Sequence, residues 1–231
     1  MKLLFFCGII MLWNRGGGLI MKKTMFVFDF DGTIADSLHM GIDLYNNHIA
    51  KKLRCKKIEK GEIEDLKGKH IYKLLKEHDI NLIKFPILLY RLKKLMSQKM
   101  DGIPLIDGIK EALISLHKMG YKMGVLTSNN KKNVDTFLNH YELRNLFEFI
   151  YSEKNVFGKD KAINKVMNME KLDKIIYVGD ETRDIEACKK VGVPIISVGW
   201  GFNTSTNLKK HEPDYFIEDP KGLIEIAETL V

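Results

Sequence analysis

Two rhythms divide the chain. Between about Ser37 and Met100, apolar residues return every third or fourth position, with Ile42, Tyr45, Ile49 and Leu53 on one stripe and Leu88, Leu92, Leu95 and Met96 on another. That period predicts amphipathic helices: one following Asp36 and Ser37, either of which can cap it, and others over 63–75 and 86–100. No strand-like alternation interrupts them. From Ile103 onward, short apolar runs alternate with helix-length amphipathic segments, the signature of repeated βα units and a parallel sheet.

The apolar run 25–28 opens this sheet, and further strands are predicted over 121–126, 148–151, 175–178, 195–198 and 215–217. Between them lie a helix capped by Asp107 and carrying Ile109, Leu113 and Leu116, one with Val134, Phe137, Leu138 and Tyr141, one opened by Asp160, and a closing helix over 223–230. The expected fold is α/β: a doubly wound parallel sheet, Rossmann-like, from residues 21–36 and 101–231, with an all-helical cap inserted over 37–100. Residues 1–20 are set aside. Their apolar piece, 3–13, is shorter than the roughly 20 residues that span a bilayer, and no small-x-small cleavage site follows it. The G-rich codons of Arg15-Gly16-Gly17-Gly18 sit where a ribosome-binding site would lie ahead of Met21, so translation is expected to begin there.

A chain of 231 residues, 45% hydrophobic, can bury a sizeable core. The net charge of +7 raises nucleic acid as a partner, yet only five of the 37 basic residues are Arg and the lysines are scattered along the chain. Scattered lysines make a solvated surface with mild attraction for anionic small molecules, not a nucleic-acid footprint. Cys7, Cys55 and Cys188 are odd in number and lack CxxC spacing, which argues against a disulfide framework and a zinc site. A reducing cytoplasm is the expected compartment, with no membrane partner and a monomer or homodimer as the assembly.

Candidate chemistry starts at Asp29 and Asp31, where an apolar strand ends in two carboxylates followed by Gly-Thr. They read either as turn aspartates after a strand or as a pair held against mutual repulsion by a cation or proton. Thr127 with Ser128, and Asp180 with Asp184, close two further strands. In a parallel sheet those ends share one edge, so all three clusters converge on one pocket. Four carboxylates there, with no His or Cys nearby, call for a hard divalent cation, Mg2+.

DFDGT at 29–33, VLTSN at 125–129, FGKDK at 157–161 and YVGDETRD at 177–184 resemble the four ordered motifs of the haloacid dehalogenase superfamily, in its phosphoglycolate-phosphatase-like branch with a helical cap. The resemblance implies hydrolysis of a small-molecule phosphate monoester. Asp29 would be the nucleophile that takes the phosphoryl group, and Asp31 the general acid and then base. Thr127 would hold a phosphoryl oxygen, assisted by the Phe30 and Ser128 amides, and Lys159 would balance charge, with Lys161 as its rival. Magnesium would be bound by Asp29, the Asp31 carbonyl and Asp180, with Asp184 orienting its water. Ser128 and Asn129 are further substrate-binding candidates.

Asp31 distinguishes the chain from superfamily members without an acid there, leaving ester hydrolysis or phosphomutase chemistry. The sugar phosphomutases carry a His and an Arg where this chain has Gly41 and Ile71, which favours a hydrolase. A non-catalytic binding protein on the same scaffold would lack one or more core residues, and Asp29, Asp31, Thr127, Lys159, Asp180 and Asp184 are all present. The turn Lys67-Gly68-Lys69-His70 is read either as a plain helix-start turn or as the cap loop whose Lys69 and His70 reach an anionic substrate. Glu181 and Arg183 are read as solvated loop residues, with pairing to an acid as the alternative for Arg183.

Overall fold

The structure, a computed structural model, describes residues 3–6, 9–13, 19–21, 24–67, 75–81, 83–153, 158–170 and 174–230. In the segment set aside above, β1 (Leu3–Phe6), β2 (Ile9–Trp13) and β3 (Leu19–Met21) pair antiparallel as a separate small sheet. The main sheet holds β4 (Thr24–Phe28), β5 (Lys122–Thr127), β6 (Phe147–Ser152), β7 (Lys174–Gly179), β8 (Ile195–Val198) and β9 (Tyr215–Ile217). All its pairings are parallel, in the order β6-β5-β4-β7-β8-β9. The chain winds outward from β4 to β6, then crosses back to β7 on the other flank. The order therefore reverses beside β4, and a ligand crevice opens at the carboxyl ends of β4 and β7.

Between β4 and β5 the described elements are helical. Asp36 caps α1 (Ser37–Leu44) by accepting the His39 amide at 3.4 Å. A π-helical turn (Tyr45–Ile49) and α2 (Ala50–Leu53) continue it. Tyr45, Ile49 and Ala50 pack with Leu88 as a small separate core. Of the helix expected over 63–75, α3 (Ile63–Leu66) is described, while 68–74 lie outside the described residues. Next comes α4 (Lys84–Gln98), starting before Pro86 because Asn81 Oδ1 accepts the Lys84 amide at 2.8 Å and a proline is tolerated in a first helical turn.

The core helices are α5 (Ile109–Lys118), α6 (Lys131–His140), α7 (Lys159–Glu170), α8 (Thr182–Val191), α9 (Ser205–Lys210) and α10 (Lys221–Thr229). Asp107 does not cap α5 as expected: Gly108, at φ +77°, occupies the capping position with no side-chain bond. Helix α9 was not anticipated, because six residues carry too little periodicity to read. Alternation along the strands divides the core in two. Phe26, Phe28, Val125 and Val178 pack with α5, α6 and α10, whereas Met25, Val27, Ile175 and Tyr177 pack with α7 and α8. Each fully buried Phe contributes about 1.5–3 kcal/mol, so the site stands on a stiff base. Among the described residues, no helix is long and apolar enough to cross a membrane.

Candidate active site

Strand β4 delivers Asp29 to the sheet edge. The Asp29 amide donates to the Val178 carbonyl at 2.8 Å, extending the ladder toward β7, and the Phe30 amide donates to Asp29 Oδ1 at 2.7 Å. The backbone then turns through Gly32 at φ +77°, where a Cβ would sit 2.4 Å from Asp180 Oδ2. Glycine there serves both the left-handed turn and the close approach. Asp180, fully buried after β7, accepts from Thr33 Oγ1 at 2.9 Å and from the Phe202 amide at 2.7 Å. Gly201 lets the second donor come close, since a Cβ there would fall 2.2 Å from the same carboxylate.

Lys159 opens α7 and reaches across. Its Nζ lies 2.6 Å from Asp29 Oδ2, pairs with Asp184 Oδ1 and sits 5.1 Å from the centre of the Tyr177 ring. Burial alone would push the lysine pKa down, but the carboxylates of Asp184 and Asp29 outweigh it and hold the ammonium well above its ordinary range. Lys161, two residues along the helix, is exposed. Asp184 has a second task, because its Oδ2 accepts the Glu181 amide at 3.2 Å and so closes the first turn of α8.

Asp29, Asp180 and Asp184 each bring an oxygen within 4.8 Å of the others, and all three are buried. Burial first, and then the charges of Asp29 and Asp184, raise the Asp180 carboxyl well above the usual range. Asp29 and Asp184 share one ammonium and Asp180 stands beside them, an excess of negative charge away from water that an oxygen-seeking divalent cation offsets. The donor set therefore fits magnesium. The Asp31 side chain stands outside this trio.

Asp31 is half-buried, and its Oδ2 accepts from the Asn129 side chain at 3.0 Å. Its pKa rises to about 6, chiefly through burial and secondarily through the charge of Asp29, against the lowering effect of the Asn129 bond. Thr127 is buried at the end of β5, with its Oγ1 accepting the Asn129 amide at 3.0 Å. Ser128 lines the same cleft as Thr127 and Lys159. Asp29, Asp31, Thr127, Ser128, Asn129, Lys159, Asp180 and Asp184 are thus brought together, while Lys69 and His70 lie outside the described residues.

Some partners escaped the sequence reading. Thr33 and the Phe202 amide hold Asp180, and Tyr177 floors Lys159. Glu181 and Arg183 are not solvated loop residues: the acid that Arg183 pairs with is Glu181, and both are half-buried on the wall of the cleft. Arg183 stands one residue before Asp184 in the same first helical turn, a placement that would have flagged it.

Comparisons with known proteins agree with this fold. The profile of a family described as haloacid dehalogenase-like hydrolases matches residues 26–198. A phosphoglycolate phosphatase from Synechococcus elongatus is 28% identical over 207 residues, covering 89% of this chain and 97% of that protein. A pyrophosphatase, PpaX, from Halalkalibacterium halodurans is 24% identical, covering 90% and 98%. Among solved structures, a haloacid dehalogenase-like hydrolase from Streptococcus pneumoniae shares the fold with a TM-score of 0.75 at 19% identity, covering 89% of this chain and 98% of that one. With its motifs in order on a matching sheet and three-quarters of its length under the family profile, the chain belongs to the haloacid dehalogenase-like hydrolase family.

Proposed function

We propose that this hydrolase is a magnesium-dependent phosphatase that cleaves a phosphate monoester through a phosphoryl group carried on Asp29. The observation that carries the reading is the convergence of Asp29, Asp180 and Asp184 within 4.8 Å around Lys159. Asp29 attacks phosphorus in line with the ester oxygen, which splits one difficult hydrolysis into two easier displacements. Asp31, its pKa raised to about 6, gives its proton to the leaving oxygen and recovers one from the attacking water. Thr127 and the amides of Phe30 and Ser128 receive the phosphoryl oxygens, and Lys159 balances the charge shared by carboxylate and phosphate. Asp29, Asp180 and the Asp31 carbonyl would hold magnesium, with Asp184 as its outer support. The ion would supply charge neutralisation between carboxylate and phosphate.

The named relatives, a phosphoglycolate phosphatase and a pyrophosphatase, support phosphoryl hydrolysis while differing in what leaves. The test is a phosphate-release screen over monoesters with Mg2+, run beside Asp29→Asn. Wild type is expected to release inorganic phosphate and the variant to fall to background with its fold intact. Activity in the variant like that of wild type would sink the nucleophile assignment, and an isomerised product without phosphate release would make the protein a mutase.

A further inference from the structure

A cavity of about 700 Å3 opens from the site into the helical insertion, beginning at Asp31, Ser128 and Asn129. Sites of this size hold ligands far larger than a two-carbon acid, which would leave most of it filled with water. Its walls are two facing apolar stripes: Leu38, Ile42 and Tyr45 from α1 and the turn after it, and Leu88, Leu89 and Leu92 from α4. The spacings of three and four that predict these helices also bring both stripes to the cavity, where Tyr45 packs with Leu88 while Leu38, Leu89 and Leu92 stay partly exposed. The wall has a notch at Gly41, where an added Cβ would meet no atom within 4 Å.

Among the described residues, the permanently charged cations on the cavity's surface are Arg183, at the site end and paired with Glu181, and Lys93, exposed on α4. The described lining also holds His78, buried with its Nδ1 unpartnered, among apolar side chains that outnumber it. Apolar surface left to water gains free energy when an apolar group covers it.

We infer that the cavity receives a bulky apolar group, so that the substrate is the monophosphate of an aryl or long-chain alkyl alcohol. This rests on the phosphatase reading above. The P–O ester bond breaks, the alcohol oxygen takes the proton held by Asp31, and water supplies the hydroxyl that leaves with inorganic phosphate. Gly41, Leu88 and Leu89 are then specificity-determining residues, acting on the leaving group and not on phosphorus.

The experiment measures kcat/KM with Mg2+ for ethyl, butyl, hexyl, octyl and 2-naphthyl phosphate beside 2-phosphoglycolate and pyrophosphate. Each added methylene is expected to raise kcat/KM about fourfold until the cavity is filled, the equivalent of roughly 0.8 kcal/mol per buried CH2. Gly41→Phe, which fills the notch, and Leu89→Lys, at a half-exposed position, should each lower the octyl-to-ethyl ratio at least tenfold. A flat chain-length series, or 2-phosphoglycolate or pyrophosphate outperforming the octyl and naphthyl esters, overturns the inference. Binding of methyl- and octylphosphonate to Asp29→Asn separates the two readings. If no ester is turned over yet octylphosphonate binds at least tenfold tighter, the apolar site stands and the phosphatase reading falls. Equal binding of the two overturns the site itself.

Discussion

Lys159 Nζ lies 2.6 Å from Asp29 Oδ2 although 130 residues separate the two in sequence. The same ammonium pairs with Asp184, so one cation holds two buried carboxylates. Lys159→Met keeps much of the side-chain bulk and removes the charge. Breaking a buried pair costs about 3 kcal/mol or more, and loss of a charge-stabilising donor lowers turnover by about 10²–10³-fold. Chemical denaturation and phosphate release should report both losses, with Lys161→Met as the control. Equal effects from the two variants would contradict the geometry.

That contact also separates what the residues announced from what they did not. Asp29 and Asp180 were readable because each ends an apolar run, and in a parallel sheet the ends of such runs must share an edge. Choosing between Lys159 and Lys161 was not possible from spacing alone. Two residues along a helix rotate a side chain by about 200°, so only the fold decides which lysine faces inward. The bond from the Phe202 backbone amide to Asp180 and that from the Asn129 side-chain NH2 to Asp31 were hidden for a related reason. Each is a long-range bond made by a residue whose local pattern says only loop or turn. The Asp107 cap failed because a left-handed glycine ended the loop without needing a side chain.

Asn129 opposes the rise in the Asp31 pKa that burial causes. Its side chain donates to the carboxylate at 3.0 Å and so favours the charged form, opposing the burial that raises the pKa to about 6. Asn129→Ala removes the donor, and a hydrogen bond to a charged group is worth about 1.5 kcal/mol, close to one pKa unit. The Asp31 pKa should therefore rise further. In the proposed mechanism the first displacement needs Asp31 protonated, so kcat/KM should fall as pH rises through that pKa, and in the variant this limb should move to higher pH. An unmoved limb would detach Asp31 from the proton transfer.

Under the proposed magnesium role, Asp180 would tie the site to the ion through stability as well as rate. The carboxyl is buried and its pKa is raised, first by burial and then by Asp29 and Asp184, so its charge opposes folding when nothing offsets it. Asp180→Asn should thus unfold at a higher temperature than wild type in a chelator. Adding Mg2+ should stabilise wild type by about 2.7 kcal/mol at 100 times its dissociation constant, and the variant far less. Thermal melts with and without Mg2+ decide the matter. A variant that gains as much from Mg2+ as wild type would remove Asp180 from the ligand set.

Thr33 belongs to the DFDGT motif, yet its side chain never meets the reacting atoms. Its hydroxyl donates to Asp180 Oδ1 at 2.9 Å while its carbonyl accepts from Trp200 Nε1 at 3.2 Å, tying the β4 turn to the loop after β8. Thr33→Val keeps the shape and removes only the donor to Asp180. A residue that orients a metal ligand typically changes metal affinity by 10–100-fold when lost, without touching the chemical step. The variant should therefore need about 10–100-fold more Mg2+ for half-maximal rate, yet approach wild-type kcat at saturation. Thr33→Ser, which restores the hydroxyl, should return the Mg2+ requirement to near the wild-type level. A lower kcat at saturating Mg2+ with an unchanged Mg2+ requirement would mean that Thr33 acts on the phosphoryl group and not through Asp180.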